Sequence, residues 1–316
     1  MLWATCWRWV IICLLGPFAR PLVTLGAPPE FTRHTGMASA SAVVSVGPDY
    51  FLAASDEDNR LRLYPLSGGP SVTELDASPW LRLASRHGEV DLEGAATVGE
   101  LTFWLGSHGR GKDGRSHPDR ERLFATQLVT NDSRPQLRLV GRPYRRLLID
   151  LEAAPQLKRF HLTEASTHAP DDGGINLEGL AAAPGGELLI GFRSPVPEGL
   201  ALLVPLKNPR EVIAGQTARL GDPVLLDLDR LGIRDLAWSG REWFCIAGRP
   251  GSGGTARLYH WQPGESRAVR IDHTGFKQSN PEALTVFGPP EAPRLLVLSD
   301  DDKRTHLQFR SFWVIP

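Results

Sequence analysis

One short phrase recurs along this chain and constrains its fold more than any other feature of the sequence. It reads DLEGAA at residues 91–96, NLEGLA at 176–181 and NPEALT at 280–285, and a degenerate copy, IRDLA, occupies 233–237. Each copy precedes an apolar stretch that ends on a charged residue or a histidine. A repeat of this size made of short strands is typical of a β-propeller, in which each repeat forms one blade.

The repeat units predict the number of blades. Each unit contains three strand-like segments in order, separated by turns rich in glycine, proline or aspartate. Five units are visible, which predicts an all-β fold with five blades, and a degenerate sixth blade is the alternative. Leucines at helical spacing, interrupted at Pro155, predict a helical insertion over residues 145–160. The last unit ends after its third strand, so its outer strand is expected from the N-terminal stretch 30–37.

The chain is predicted to be one exported domain. At 316 residues, 41% hydrophobic and 22% charged, it has enough apolar material for a core, and the repeat predicts a single propeller domain over residues 28–316. Arg8, the apolar run 9–15 and the small residues 25–27 predict a signal peptide over 1–27, and hence a periplasmic or secreted protein. A misassigned start codon is the alternative. The apolar run is too short to span a bilayer, so no membrane span is expected in the mature chain.

Charge and motif content argue against several classes of function. The formal net charge is −1 and the basic patches are short and interrupted by acids, so nucleic acid is not an expected partner. The sequence contains no nucleophile elbow, Walker loop, dinucleotide fingerprint or paired-cysteine metal motif. Cys245 lies within an apolar strand, which predicts a small core residue rather than a nucleophile.

The two recurring phrases are predicted to meet at one end of the central channel. The start of the first strand of a blade and the end of its second strand share a face, and side chains alternate along each strand. The sequence therefore predicts a ring of side chains around the channel, bordered by the residues that end the second strands. The ring is Ser41, Glu93, Glu178, Arg234 and Glu282, and the border is Asp56, His108, Arg193, Arg249 and Asp300.

The carboxylates of the ring have two interpretations. Clustered carboxylates suit a hard cation such as Ca²⁺, which takes about six to eight oxygen ligands. The predicted metal ligands are Glu93, Glu178, Glu282 and Asp91. The amide oxygens of Asn176 and Asn280 would add to them. The alternative is a structural network in which the glutamates are neutralised by Arg234 and need no metal.

The ends of the second strands predict a binding site for a small anionic ligand, since loop residues on one face of a rigid scaffold are where sites usually lie. Arg193 and Arg249 offer bidentate geometry to a phosphate or carboxylate. The other predicted ligand contacts are Arg234, Asp56 and Asp300. His108 is the predicted general acid or base.

The Glu-Gly phrase, in its Asp-x-Glu-Gly and Asn-x-Glu-Gly forms, resembles exported bacterial propellers of the esterase-like phytase kind. Together with the IRDLA variant, it resembles more closely a bacterial family catalogued as a domain of unknown function, over about residues 40–316. The phytase resemblance implies calcium-assisted phosphoester hydrolysis, carried by Glu93, Glu178 and Glu282. Arg234 departs from an all-acid metal ring.

Two functions follow as predictions. One is a propeller without chemistry that binds a small anionic ligand or a protein partner at the channel mouth. The other is a calcium-assisted hydrolase of phosphoesters or esters that uses the same face. The hydrolase requires a metal and an open channel mouth, whereas binding alone is compatible with glutamates that are all paired with arginine. The fold by itself hosts both kinds of function.

Overall fold

The computed structural model of this protein is a ring of five β-sheets, as the repeat predicts. It describes residues 29–85, 88–131, 134–251, 253–300 and 307–316. The predicted signal peptide over residues 1–27 lies outside the described residues and stays a prediction. Within the described ranges, no helix is long and apolar enough to cross a membrane.

The strands are numbered β1 to β21 in chain order, and the first four blades are antiparallel sheets of four strands each. Blade 1 contains β2 (Ala42–Val46), β3 (Tyr50–Ala54), β4 (Arg60–Pro65) and β6 (Thr73–Asp76). Blade 2 contains β7 (Leu92–Val98), β8 (Leu101–Gly106), β9 (Leu123–Asn131) and β10 (Arg134–Tyr144). Blade 3 contains β11 (Asn176–Ala182), β12 (Leu188–Ser194), β13 (Ala201–Leu206) and β14 (Val224–Leu226). Blade 4 contains β15 (Gly232–Trp238), β16 (Trp243–Gly248), β17 (Arg257–Trp261) and β18 (Val269–Ile271).

The fifth blade closes the ring by joining the two ends of the described chain. It contains β19 (Pro281–Phe287), β20 (Arg294–Ser299), β21 (Gln308–Val314), β1 (Thr32–Thr35) and the short β5 (Gly69–Pro70). β1 runs antiparallel to β21, with Thr32 opposite Ser311, and His34 Nε2 lies 2.9 Å from Ser311 Oγ. The expectation that the N-terminal stretch supplies the outer strand of the last blade is confirmed.

Short helices lie in the connections. They are α1 (Ser78–Leu81), α2 (Leu147–Ala153), α3 (Leu162–Ala165), α4 (Pro209–Ile213) and α5 (Gly275–Gln278), with 3₁₀ turns at Pro118–Arg120, Pro155–Phe160, Pro170–Asp172 and Pro197–Gly199. The predicted helical insertion is confirmed, because α2 ends before Pro155, which opens a 3₁₀ turn. Leu147, Leu151 and Leu157 of this insertion are buried against blades 2 and 3. The alternative of a sixth blade is wrong, since this stretch is helical.

The core lies between neighbouring blades, where the faces of adjacent sheets pack together. Every residue of β8 is buried, because the strand has a blade on either side. Phe103 and Trp104 of that strand point to opposite faces and are fully buried, and each contributes about 2 to 3 kcal/mol by leaving water. Cys245 is fully buried in β16, and burial raises the pKa of its thiol. The five inner strands contact one another in sequence around the channel.

Candidate functional site

An extra residue in four of the five inner strands turns the charged ring toward the channel. In β7 the pairing register shifts between Leu92 and Gly94, which leaves Glu93 without a partner in the ladder. Such a bulge re-aims the extra side chain. The equivalent residues of blades 3, 4 and 5 are Glu178, Arg234 and Glu282. In the first blade, Ser41 takes this place just before β2.

The residue after each ring glutamate lies against the next blade. A Cβ atom on Gly179 would come within 2.2 Å of Leu236 Cδ2 and 2.5 Å of Ile233 Cγ2, so the close approach of the two inner strands requires glycine. In the degenerate copy this place holds Asp235, whose Oδ2 accepts a hydrogen bond of 2.8 Å from the backbone N–H of Leu284. Burial raises the pKa of Asp235 well above its usual value. The recurring phrase thus joins a channel residue to a blade-packing residue.

A cavity of about 500 Å³ opens at the end of the channel where the ring lies. This volume falls within the range of small-molecule sites. Its described lining holds nine carboxyl side chains and five cationic ones. The predicted residues that the structure brings together there are Ser41, Asp56, Asp91, Glu93, Glu178, Arg193, Arg234, Glu282 and Asp300.

Glu178 is held by an asparagine and an arginine. Its Oε1 accepts hydrogen bonds from Asn176 Nδ2 at 2.7 Å and from Arg193 Nη1 at 2.6 Å. Its Oε2 is buried and lacks a hydrogen-bond partner among the described residues, with Arg234 Nε 3.8 Å away. The side chain of Glu178 is only 2% exposed. A buried carboxylate of this kind depends on its arginine for compensation.

Glu282 repeats this arrangement in the fifth blade. Its Oε1 accepts hydrogen bonds from Arg234 Nη2 at 2.5 Å and from Asn280 Nδ2 at 3.0 Å. Burial raises the pKa of Glu282 to about 7, although Arg234 acts in the opposite direction. In both copies the asparagine two residues before the glutamate directs its amide N–H to the carboxylate, which the alternation of side chains along a strand makes possible.

Glu93 differs from the other two glutamates because its copy of the phrase begins with aspartate. Asp91 forms an ion pair of 2.9 Å with Arg120 and, as a carboxylate, has no N–H to donate to Glu93. Within the described ranges Glu93 makes no side-chain hydrogen bond or ion pair. Burial raises the pKa of Glu93 well above its usual value, and the charges of Glu178 and Asp91 raise it further. Burial also raises the pKa of Asp91, to about 6.

Two predicted residues are not at the cavity. His108 adopts a left-handed backbone conformation with φ of 55°, and its Nδ1 donates to the carbonyl of Gly106 at 2.7 Å. Its Nε2 is buried without a partner in the described chain, and burial lowers the pKa of the ring to about 4. Arg249 is exposed and does not line the cavity, and its contribution is a carbonyl that accepts from Arg193 Nε at 3.0 Å. The structure therefore does not bring the predicted acid or base to the site.

The ring does not fit a calcium ion held by the three glutamates. One oxygen each of Glu178 and Glu282 already accepts two hydrogen bonds, and Arg193 and Arg234 place positive charge inside the ring. Asn280 Oδ1, a predicted oxygen ligand, faces Arg234 Nη1 at 3.3 Å. Among the residues that the structure describes, no group of three or more His, Cys, Asp or Glu side chains is placed to hold a metal. These contacts match the alternative of a charge-compensated network for two of the three glutamates.

Several lining residues lie outside the repeat. Arg120 precedes β9 and pairs with Asp91, and it also reaches Glu89 at 3.1 Å. Asp171 comes from the 3₁₀ turn Pro170–Asp172, which precedes β11 and supplies part of the cavity wall. Arg110 and Lys112 come from the loop after β8. None of these positions belongs to a recurring phrase, so the repeat could not identify them.

The opposite end of the channel has a different character. A smaller cavity of about 140 Å³ lies there, lined by three successive residues from each inner strand, most of them alanine, valine or leucine. Trp238 and Thr285 are among the larger and more polar members of that lining. The channel is thus polar and charged at the end where the inner strands begin and mainly apolar where they end.

Fold and site together define a five-bladed β-propeller with a charged cavity at one end of its channel. The chain belongs to the family described as protein of unknown function (DUF3616), which matches residues 139–311. No curated protein matches the sequence.

Two solved structures show the same fold. The glutaminyl cyclase of Myxococcus xanthus superposes with a TM-score of 0.52 at 13% identity, covering 92% of this chain and 97% of that chain. A GH43 β-1,3-galactosidase, solved with galactodeoxynojirimycin, superposes with a TM-score of 0.50 at 9% identity, covering 92% of this chain and 94% of that chain. At these identities the likeness establishes the propeller fold, while function must be argued from the site.

Proposed function

We propose that this protein binds a small polar molecule in the cavity at the channel mouth and that Glu93 is a principal contact. The observation that carries the proposal is that Glu93 alone among the three ring glutamates has no asparagine or arginine partner within the described residues. Glu93 is partly exposed and lines the cavity, so its carboxyl group is open to a ligand. A bound ligand with hydrogen-bond donors would supply the partners that asparagine and arginine supply to the other two glutamates.

The charge of the lining favours a neutral or positively charged ligand over the anionic one that the arginines predict from sequence. Arg193 is occupied by Glu178 and by the carbonyl oxygens of Arg249 and Gly251, at 3.0 and 2.9 Å. Arg234 is occupied by Glu282. Even with Glu93 protonated and Glu282 near the midpoint of its titration at neutral pH, the described lining has more carboxylates than cations.

Calcium-assisted ester hydrolysis, which the phytase resemblance implies, is less well supported. The arginines that hold Glu178 and Glu282 compete with a cation for the same oxygens. His108, the predicted acid or base, lies away from the cavity. We therefore place ligand binding ahead of hydrolysis and derive no catalytic step through a metal.

Ligand-observed NMR with a library of amines, polyols, sugars and carboxylates tests the proposal. Wild-type protein is compared with Glu93→Gln, which keeps the shape of the side chain, and with Glu291→Gln, which removes the same charge from an exposed turn at the other end of blade 5. We expect compounds that bind wild type and Glu291→Gln but lose binding to Glu93→Gln. A library without binders, or binders that Glu93→Gln leaves unaffected, would refute the proposed site.

A further inference from the structure

We infer that the ligand of the cavity is an organic cation whose ammonium group is received by Glu93, the accessible ring carboxylate of a wall that holds more carboxyl groups than cationic ones. The inference rests on the proposed function, because it specifies the class of molecule that the same cavity takes. Two independent features support it, namely which polar atoms of the wall lack partners and how charge is distributed around them.

The unpartnered atoms at this wall include several acceptors. Both oxygens of Glu93 lack hydrogen bonds in the described chain, and so does the buried Oε2 of Glu178. Arg234 Nε and Arg120 Nε are unpartnered donors at the same wall, but both guanidinium groups are already paired with carboxylates: Arg234 Nε lies 3.8 Å from that Glu178 oxygen, and Arg120 forms an ion pair of 2.9 Å with Asp91. An ammonium group has three N–H donors and no acceptor, so it complements carboxylate oxygens. A carboxylate ligand would bring more acceptors to a wall that already holds them.

The charges that face Glu93 also favour a cationic ligand. Four carboxyl groups from four different blades surround it, those of Asp56, Asp91, Glu178 and Glu282. Arg193, which interacts electrostatically with Glu93, is already bound to Glu178, and Arg120 and Arg234 of the same lining are paired with Asp91 and Glu282. An opposite charge beside a buried carboxyl group favours its ionised form, so a bound ammonium would meet Glu93 as a carboxylate. A positively charged ligand therefore gains more binding free energy in this cavity than a neutral ligand does.

The number of free oxygens separates an organic cation from calcium. A calcium ion requires about six to eight oxygen ligands in a closed shell. An ammonium group needs only about three acceptors, and the remainder of the molecule is covered by the walls of the cavity. The volume of about 500 Å³ leaves room for such a molecular body beside the charged head.

Isothermal titration calorimetry with four probes of equal chain length tests the inference. The probes are cadaverine, which has an ammonium at each end, aminopentanol, pentanediol and glutarate. At about pH 7 we expect cadaverine and aminopentanol to bind at least about tenfold more tightly than pentanediol, and glutarate to bind most weakly. Because the attraction is electrostatic, the affinity for cadaverine should fall by about tenfold or more when salt is raised from about 50 mM to about 500 mM.

Variants assign the binding to the cavity. Glu93→Gln should weaken cadaverine at least about tenfold, since a charge-assisted hydrogen bond is lost, whereas Glu291→Gln should change the affinity less than about twofold. Circular dichroism spectra and unfolding midpoints of both variants report that they are folded. Equal or tighter binding of pentanediol or glutarate, lost in Glu93→Gln, would overturn the inference and leave the proposed site standing. Absence of binding by all four probes, or binding unaffected by Glu93→Gln, would count against both.

Discussion

Replacing Arg193 with methionine should destabilise the protein through the carboxylate that it leaves behind. Arg193 donates to Glu178 Oε1 at 2.6 Å and to the carbonyls of Arg249 and Gly251. The substitution keeps most of the aliphatic stem and removes all three hydrogen bonds. Glu178, only 2% exposed, then retains the hydrogen bond from Asn176 and the more distant guanidinium of Arg234, 3.8 Å from its other oxygen.

The expected loss follows from these contacts. Removing one partner of a buried ion pair typically costs about 3 to 5 kcal/mol. The partial compensation that Arg234 still provides places Arg193→Met near the lower end, at about 3 kcal/mol. Adding Glu178→Gln removes the stranded charge, so the double variant should recover about 1 to 2 kcal/mol relative to Arg193→Met.

Urea unfolding at neutral pH measures these free energies, with linear extrapolation to water. Arg249→Met is the matched control, because this exposed arginine comes from the contacting loop and uses only its backbone carbonyl. It should change stability by less than about 0.5 kcal/mol. A loss below about 1 kcal/mol for Arg193→Met, or a double variant less stable than Arg193→Met alone, would refute the argument that Arg193 compensates a buried charge.

Three further outcomes are expected. The pKa of Glu93 is higher in the folded than in the unfolded protein, so the stability of wild type relative to Glu93→Gln should fall as pH rises above about 4. Denaturant unfolding across pH measures the two unfolding free energies. A difference between them that does not change with pH would contradict this prediction. The pKa of His108 is lowered to about 4 from 6.5, so the stability of wild type relative to His108→Gln should rise with pH across that interval and then level off. Gly179→Ala should lower the unfolding free energy by about 1 to 3 kcal/mol, since its Cβ would overlap Leu236; a neutral effect would mean that the two inner strands can separate without cost.

The fold could be predicted because the same sequence pattern recurs in most of the blades. The recurring phrase marks the start of each inner strand, and the turns between strands carry glycine and proline. The outer strands are harder to place from sequence, because some of them are short: β14 covers only Val224–Leu226 and β18 only Val269–Ile271. Outer strands bury less surface, so their sequences are less constrained. The short β5, which pairs in parallel with β1, leaves no periodic pattern to detect.

The membership of the site was predictable, but its pairing was not. Strand alternation places Glu93, Glu178 and Glu282 on the channel, and all three line the cavity. Which of them lacks a partner depends on the arginines that contact them from neighbouring strands and loops. The spacing of residues in the sequence does not show which arginine contacts which glutamate. His108 shows a second limit, because a single left-handed residue at the end of β8 redirects a side chain that alternation assigns to the mouth.

The pairing of β1 with β21 has a consequence for how the protein is made. His34 and its partner Ser311 are separated by 277 positions, so the first of the described strands to be synthesised pairs with the last of them. At about 5 to 20 residues per second, β1 waits about 15 to 55 s for its partner to be synthesised. Blades 1 to 4 can form as they emerge, but the fifth cannot be completed before β21 has been synthesised. During that interval the nascent chain carries an open sheet edge, which is a ready template for pairing with another chain.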